Sequence, residues 1–475
     1  MIMGMPRKEL IDELEKALSI NELSVFIGAG LSKGAGHYDW KGLLEKPALK
    51  LNLDVSKEYD LISLAQYYCN QEGRAKINQL IREAFPKTLP VNKNYELLAK
   101  LPIDTYWTTN YDQLIENSLI QNKREHLVIT RDKDLHLQSK KYDAIIYKMH
   151  GDIDDPDNAV LTRDDYERYG ITDRTLFKDV LEGHLITNTF MFLGFSFSDP
   201  NFNFILGKLK ALSNGNTRPH YCFIKKVQEV DFLIEEDGNR FIDIAQFDYE
   251  KVKQKLVIED LKKRYNIETF LMDSYEDITS VLNDIYNRYR KKKIFISGSA
   301  DRYSPMNEEE AKKLISRLAF SLVGNGYHIV SGYGKGIGSY VIDGVAEYCY
   351  SSKNKKISDY LTLMPFPLSS ITKASLKETW SKYREEMISS SGVVLTMFGN
   401  KKEGDNLLIA DGMIEEVDLA NKFGLDIITL NFTGGAAKEI GNQEEFSVIK
   451  IEEFIDVETN VKEIIEIIDK LNKRR

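Results

Sequence analysis

The run Leu23-Ser24-Val25-Phe26-Ile27 passes directly into Gly28-Ala29-Gly30-Leu31-Ser32, with Gly34, Ala35 and Gly36 close behind. Its first five residues are mostly apolar and predict a short buried strand. A turn without Cβ atoms lets backbone N–H groups approach a diphosphate, and the Ser32 hydroxyl can add a hydrogen bond. A strand that ends in such a turn belongs at the carboxyl edge of a parallel sheet, where open α/β folds bind their ligands. The pattern returns at Ile294-Phe295-Ile296, which runs into Ser297-Gly298-Ser299-Ala300. The two halves resemble each other only as alternating α/β units and form no repeat.

A chain of 475 residues exceeds one ordinary hydrophobic core, so two domains are expected, 1–288 and 289–475. The net charge of −9 argues against a general nucleic-acid binder, which needs clustered Lys and Arg. Lys291-Lys292-Lys293 and Lys473-Arg474-Arg475 read as a solvated linker and tail. Cys69, Cys222 and Cys349 lie far apart and supply no Cys-x-x-Cys pair for a structural zinc, so no metal is expected. Scattered thiols suit a reducing cytosol. Charges throughout the first twenty residues exclude a signal-peptide core, and no apolar run is long enough to span a bilayer. A cytoplasmic protein with no membrane partner is the simplest expectation.

Helical spacing recurs over 40–51, 60–71 and 74–85. Residues 104–108, 143–149, 190–194 and 220–224 are rich in β-formers. The first three of these strands end at Thr109-Asn110-Tyr111-Asp112, at His150-Gly151-Asp152 and at Gly194-Phe195-Ser196. Strands alternating with helices imply a mostly parallel sheet covered on both faces. A second α/β cycle follows the charged helix 275–293: strands 294–296 and 327–330, then 393–398 and 426–430, with helices from Asn307 and Gly412. Two Rossmann-type α/β domains in series are therefore expected.

Alone, Asn110 reads as a turn residue and His150 as an ordinary loop histidine. Asp112 can cap a helix or orient a ribose hydroxyl, and Asp199-Pro200 can simply start a helix. Their order along the chain carries more weight. Gly28-Ala29-Gly30-Leu31-Ser32, Thr109-Asn110-Tyr111-Asp112, His150-Gly151 and Gly194-Phe195-Ser196 together resemble the sirtuins over about residues 10 to 285. The resemblance implies NAD as substrate, with Gly28, Ala29, Gly30, Ser32, Asp112, Gly194 and Ser196 at the dinucleotide. It implies Asn110 and His150 as the catalytic pair. The residue types suit that chemistry: a carboxamide holds ribose hydroxyls or a water without competing as a nucleophile, and an imidazole accepts a proton near neutrality.

Departures from the sirtuin pattern bear on the reaction. The four-cysteine zinc module of the deacylases cannot be built here. His37-Tyr38-Asp39-Trp40 stands where a Pro and a Phe-Arg stretch are expected. Water is then the simplest acceptor, which favours hydrolysis of NAD to nicotinamide and ADP-ribose over protein deacylation. A nucleotide sensor without turnover is the other alternative.

Gly298-Ser299, Gly332-Tyr333-Gly334, Arg384, Gly399-Asn400-Lys401 and Glu416 resemble the SLOG family of nucleotide-sensing domains. The Pro-Gly-Gly-x-Gly-Thr loop of related phosphoribohydrolases is absent, which favours binding over hydrolysis in this half. The resemblance implies phosphates received at Gly298, Ser299, Gly332, Gly334 and Gly399, charge countered by Arg384 and Lys401, and hydrogen bonds accepted by Glu416. A sirtuin-like domain followed by a SLOG domain resembles the effectors of the Thoeris anti-phage defence system. That likeness implies an NAD hydrolase activated by a cyclic ADP-ribose isomer, which a TIR-domain protein makes, and assembly as a homotetramer.

Overall fold

The computed structural model describes residues 4–33, 36, 38–85, 92–137, 141–212, 217–236, 239–352, 355–367, 375–404 and 406–473. Gly34, Ala35 and His37 of the first loop, and Arg474 and Arg475 of the terminal run, lie outside them. The chain divides into two compact units, Met1–Tyr286 and Asn287–Arg475.

The first unit is built on β1 (Leu23–Ile27), β2 (Thr105–Thr108), β3 (His126–Ile129), β4 (Ala144–Lys148), β5 (Thr189–Leu193) and β6 (His220–Lys225), then the strands β7 (Leu233–Glu236), β8 (Asn239–Ile242) and β9 (Ile267–Met272). Among the described residues, seven of these form one sheet in the order β3-β4-β2-β1-β5-β6-β9, and every neighbouring pair is parallel. β7 and β8 pair separately as an antiparallel hairpin. From β1 the chain lays down β2, the edge strand β3 and then β4 between them, and it resumes on the other side of β1 at β5. The order thus reverses at the β1–β5 junction, where an open parallel sheet leaves a crevice beyond its carboxyl ends. Phe26, Phe192, Phe195 and Phe202 interlock beneath that junction, with Phe26 and Phe195 centroids 4.6 Å apart. Trp107 of β2 stacks on Tyr147 of β4 at 4.4 Å, which fixes the neighbouring strand ends.

Between β1 and β2 the helices Trp40–Lys50, Leu61–Glu72 and Arg74–Ala84 form an apolar cluster around Leu44, Leu64, Ile77 and Ile81. Asp39 and Asp60 accept the amide hydrogens of Gly42 and Ser63 and so start the first two of these helices. Arg74 pins the cluster to the segment after β4: it pairs with Asp165 at 2.6 Å and donates to the Ala159 carbonyl at 2.6 Å. Tyr111 and Leu161 complete the packing, so the helices stand against the sheet's carboxyl edge.

The second unit contains β10 (Lys293–Ser299), β11 (His328–Ser331), β12 (Leu361–Leu363), β13 (Val393–Phe398), β14 (Asn400–Glu403), β15 (Asn406–Ile409), β16 (Asp426–Leu430) and β17 (Val448–Ile451). Among the described residues, six strands form a parallel sheet in the order β12-β11-β10-β13-β16-β17, with a reversal at β10–β13. Asn307 caps the helix Glu308–Gly324 by accepting from the Glu309 and Glu310 amides. After Gly399, β14 and β15 pair as an antiparallel hairpin.

Candidate active site

β1, β2, β4 and β5 end side by side, and the loops beyond them surround a cavity of about 880 Å3. That volume lies within the roughly 300–1,000 Å3 of small-molecule sites. Ala29, Gly30, Ser32, Asn110, Asp112, His150, Gly194 and Ser196 all line it, whereas Gly28 does not. One end of the cavity is walled by Trp40, Leu43, Leu61 and Phe85, and other parts by Phe223, Gln254, Val257 and Tyr275.

Asn110 is held by its neighbours. The Thr108 hydroxyl donates to the Ile27 carbonyl at 2.9 Å and accepts the Asn110 amide hydrogen at 2.9 Å, tying the loop to β1. The Asn110 carboxamide donates to Ser32 Oγ at 2.9 Å, and Ser32 Oγ shares a 2.6 Å hydrogen bond with the Tyr95 hydroxyl. Burial raises the Tyr95 phenol well above its ordinary value, so it remains protonated.

His150 is 1% exposed. Its placement depends on Gly151, whose φ of 91° lies in the left-handed region that side chains disfavour. Its Nε2 lies 3.1 Å from Asp199 Oδ2, close enough for an ion pair but not aligned for a hydrogen bond. The Tyr166 hydroxyl donates to the same oxygen at 2.9 Å, while Asp199 Oδ1 accepts from the Phe202 amide at 2.8 Å. Burial alone would raise the Asp199 carboxyl. The neighbouring His150 ring and the hydrogen bonds outweigh it and hold the carboxyl below the usual range. Both imidazole nitrogens and Asp112 Oδ2 are buried without a hydrogen-bond partner within the protein. Other buried polar atoms lack partners elsewhere in the chain, but these three belong to residues lining one cavity.

In the second unit the residues singled out from sequence gather at the carboxyl ends of β10, β11 and β13. The Gly399 amide donates to the Ser299 carbonyl at 2.8 Å, and a Cβ on Gly334 would stand 1.9 Å from the Gly298 carbonyl oxygen. Arg384, with its side chain 12% exposed, donates to Glu415 at 2.6 Å and lies 3.5 Å from Glu416. Its guanidinium sits 5.1 Å from the centroid of Phe366, whose ring occupies the space a Gly332 Cβ would need. Glu416 accepts from Ser297 at 2.5 Å, and burial pushes its carboxyl up to about 7. Lys401 pairs with Asp411 at 2.5 Å.

Two family models match the chain: a SIR2-like domain over residues 104–251, and the Sir2- and TIR-associating SLOG family over residues 277–475. A protein of Enterococcus faecium named NAD(+) hydrolase ThsA is 42% identical over 448 residues, covering 93% of this chain and 92% of that protein. The chain belongs to the ThsA family. A ThsA of Bacillus cereus strain MSX-D12 is 40% identical over 92% of this chain and 89% of its own length. Defense-associated sirtuin 2 of Bacillus subtilis is 24% identical over 53% of this chain and 26% of its own length.

For this member of the ThsA family, several details differ from the sequence expectation. Ala29–Lys33 is a short helix rather than an open turn. The Gly28 amide donates to the Leu193 carbonyl at 2.9 Å, and the Gly30 amide to the Gly194 carbonyl at 3.0 Å. Neither N–H is left for a diphosphate. A Cβ on Gly28 would stand 2.4 Å from the Gly194 carbonyl oxygen, so these glycines serve close packing of two loops. The Ser32 hydroxyl is likewise committed to Tyr95 and Asn110. Arg384, expected to counter phosphate charge, faces two carboxylates, and Glu416 is engaged by Ser297. Cys69, Cys222 and Cys349 are free, and among the described residues no group of three or more His, Cys, Asp or Glu could hold a metal ion.

Sequence reasoning missed Tyr95, Tyr166 and Phe366, whose aromatic character reads as core. It left Asp199 as a helix start, which is correct for one carboxylate oxygen and silent about the other.

Proposed function

We propose that the first unit hydrolyses NAD to nicotinamide and ADP-ribose, with Asn110 and His150 as its catalytic residues. The reading is carried by His150 and Asp112, which line the same cavity as Asn110 and hold buried polar atoms without a hydrogen-bond partner. Family membership supports it, since the relatives that span the chain are named as NAD(+) hydrolases. In the reaction the bond between C1′ of the ribose and the nicotinamide nitrogen breaks, and its electron pair neutralises the pyridinium. A water oxygen bonds to C1′ and gives up a proton. His150 takes that proton, and the ionised Asp199 steadies the imidazolium that results. Asn110, its carboxamide fixed by Ser32, holds the ribose or the water in line.

The second unit is proposed as the sensor, with a cyclic ADP-ribose isomer as its ligand and a TIR-domain protein as the ligand's source. A diphosphate there draws Arg384 away from Glu415, which links ligand binding to a local rearrangement. Such a link lets occupancy shift the population of competent enzyme. The assembly is a homotetramer acting in the cytoplasm, and its loss of NAD serves anti-phage defence. The name of the matching SLOG family and the defence-associated relative support that setting. Among the described residues, no helix is long and apolar enough to cross a membrane.

The test is incubation of purified protein with NAD, with and without cyclic ADP-ribose isomers, followed by chromatography. Equal amounts of nicotinamide and ADP-ribose, formed on addition of an isomer, are expected. NAD untouched in every arm would leave a binding-only sensor. Nicotinamide release that requires an acylated peptide would make the chain a deacylase.

A further inference from the structure

Lys148 closes β4 with its side chain 0% exposed, and it does not line the cavity. Its ammonium donates to the Asp112 carbonyl at 2.5 Å, to the Tyr111 carbonyl at 3.3 Å, to Glu116 Oε1 at 2.9 Å and to Asp152 Oδ2. The two carbonyls belong to the loop after β2 that carries Asn110, and Asp152 follows His150 in the loop after β4. Gln113 Nε2 and the Asp154 amide hold the other Asp152 oxygen at 3.0 and 2.8 Å. Burial disfavours the ammonium, but Glu116, Asp152 and Asp112 outweigh it and keep it charged.

Packing alone gives no reason for a cation here. A buried ion pair is commonly no more stabilising than apolar residues of the same volume. What an ammonium offers and a methionine lacks is several directed donors on one atom. We propose that Lys148 is a positioning residue for the hydrolysis, clamping the Asn110 loop to the His150 strand end so that the two side chains keep their mutual placement. The inference rests on the reading of the first unit as an NAD hydrolase.

The test is Lys148→Met/Glu116→Gln, which removes one positive and one negative charge and leaves the cluster's net charge unchanged. NAD turnover by the full-length protein is measured with a cyclic ADP-ribose isomer present, alongside hydrogen exchange by mass spectrometry. The expected result is a fall in kcat of about a hundredfold, the scale of a displaced reacting group, with KM little changed. Faster exchange is expected in peptides covering 108–114 and 149–154, with the rest of the sheet as protected as in the parent. A folded variant with parental kcat, or one losing protection across the whole sheet, overturns the proposal. Should the methionine variant fail to fold, Lys148→Gln/Glu116→Gln is read by the same criteria. A parent that consumes no NAD refutes the hydrolase reading instead, and unchanged exchange at 108–114 in the variant then refutes the clamp independently.

Discussion

Asp199 divides its two oxygens between two tasks: Oδ1 accepts the Phe202 amide at 2.8 Å, while Oδ2 stands 3.1 Å from His150 Nε2. One carboxylate thereby starts the helix Pro200–Leu212 and answers the charge that His150 acquires when it takes a proton.

Replacing Asp199 with Asn keeps the cap and removes the charge. The expected outcome is a loss of about a hundredfold or more in kcat with NAD binding retained, read by steady-state kinetics and calorimetry. The native carboxyl is held low, so its contribution to stability is present above its unfolded value of 3.8 and is lost as pH falls through the native one. The parent is therefore expected to lose more stability than Asp199→Asn between about pH 5 and pH 3.

Ser32→Ala cuts the link between Asn110 and Tyr95. It is expected to cost about 1 kcal/mol in thermal unfolding and roughly tenfold in kcat, since the carboxamide loses its anchor. Tyr95→Phe removes the outer half of the same link and is expected to have the smaller kinetic effect.

At Gly194, φ is 63° and a Cβ would stand 2.2 Å from the Leu31 amide nitrogen. Gly194→Ala is expected to destabilise the first unit by about 3 kcal/mol or more, because both backbone strain and collision oppose it. Gly183 lies in the helix Thr175–Thr187, where a Cβ meets nothing within 4 Å. Gly183→Ala is expected to stabilise by roughly 0.5–1 kcal/mol. Paired melting curves check both signs.

Glu416 predicts a pH effect of opposite sign to that of Asp199. Burial raises its native value from 4.5 to about 7, so between those values the folded state binds more protons than the unfolded one. Stability of the second unit is accordingly lost as pH rises from about 4.5 to about 7. Glu416→Gln is expected to remove that loss, gaining on the order of 3 kcal/mol over the parent at pH 8 and little at pH 4.5. Denaturant titrations at the two pH values give the comparison.

The alternation of strand and helix was legible, as was the meeting of Asn110 and His150 at one cavity, because each motif follows closely on a strand. β3 and β9 were not, one being a four-residue edge strand and the other following directly on a long charged helix. The glycines at 28, 30 and 194 announced that a Cβ was excluded, but not what excluded it: a sequence does not distinguish a ligand from another stretch of backbone. Lys148, Tyr95 and Tyr166 were illegible for a related reason. Their partners come from distant elements, and only the folded sheet brings those elements together.

The most direct measurement is NAD turnover by His150→Ala, with NAD binding followed separately by calorimetry on the same folded protein. If His150 is the proton acceptor, NAD binds this variant with nearly parental affinity and hydrolysis falls by about a hundredfold or more. Turnover at the parental rate would contradict it.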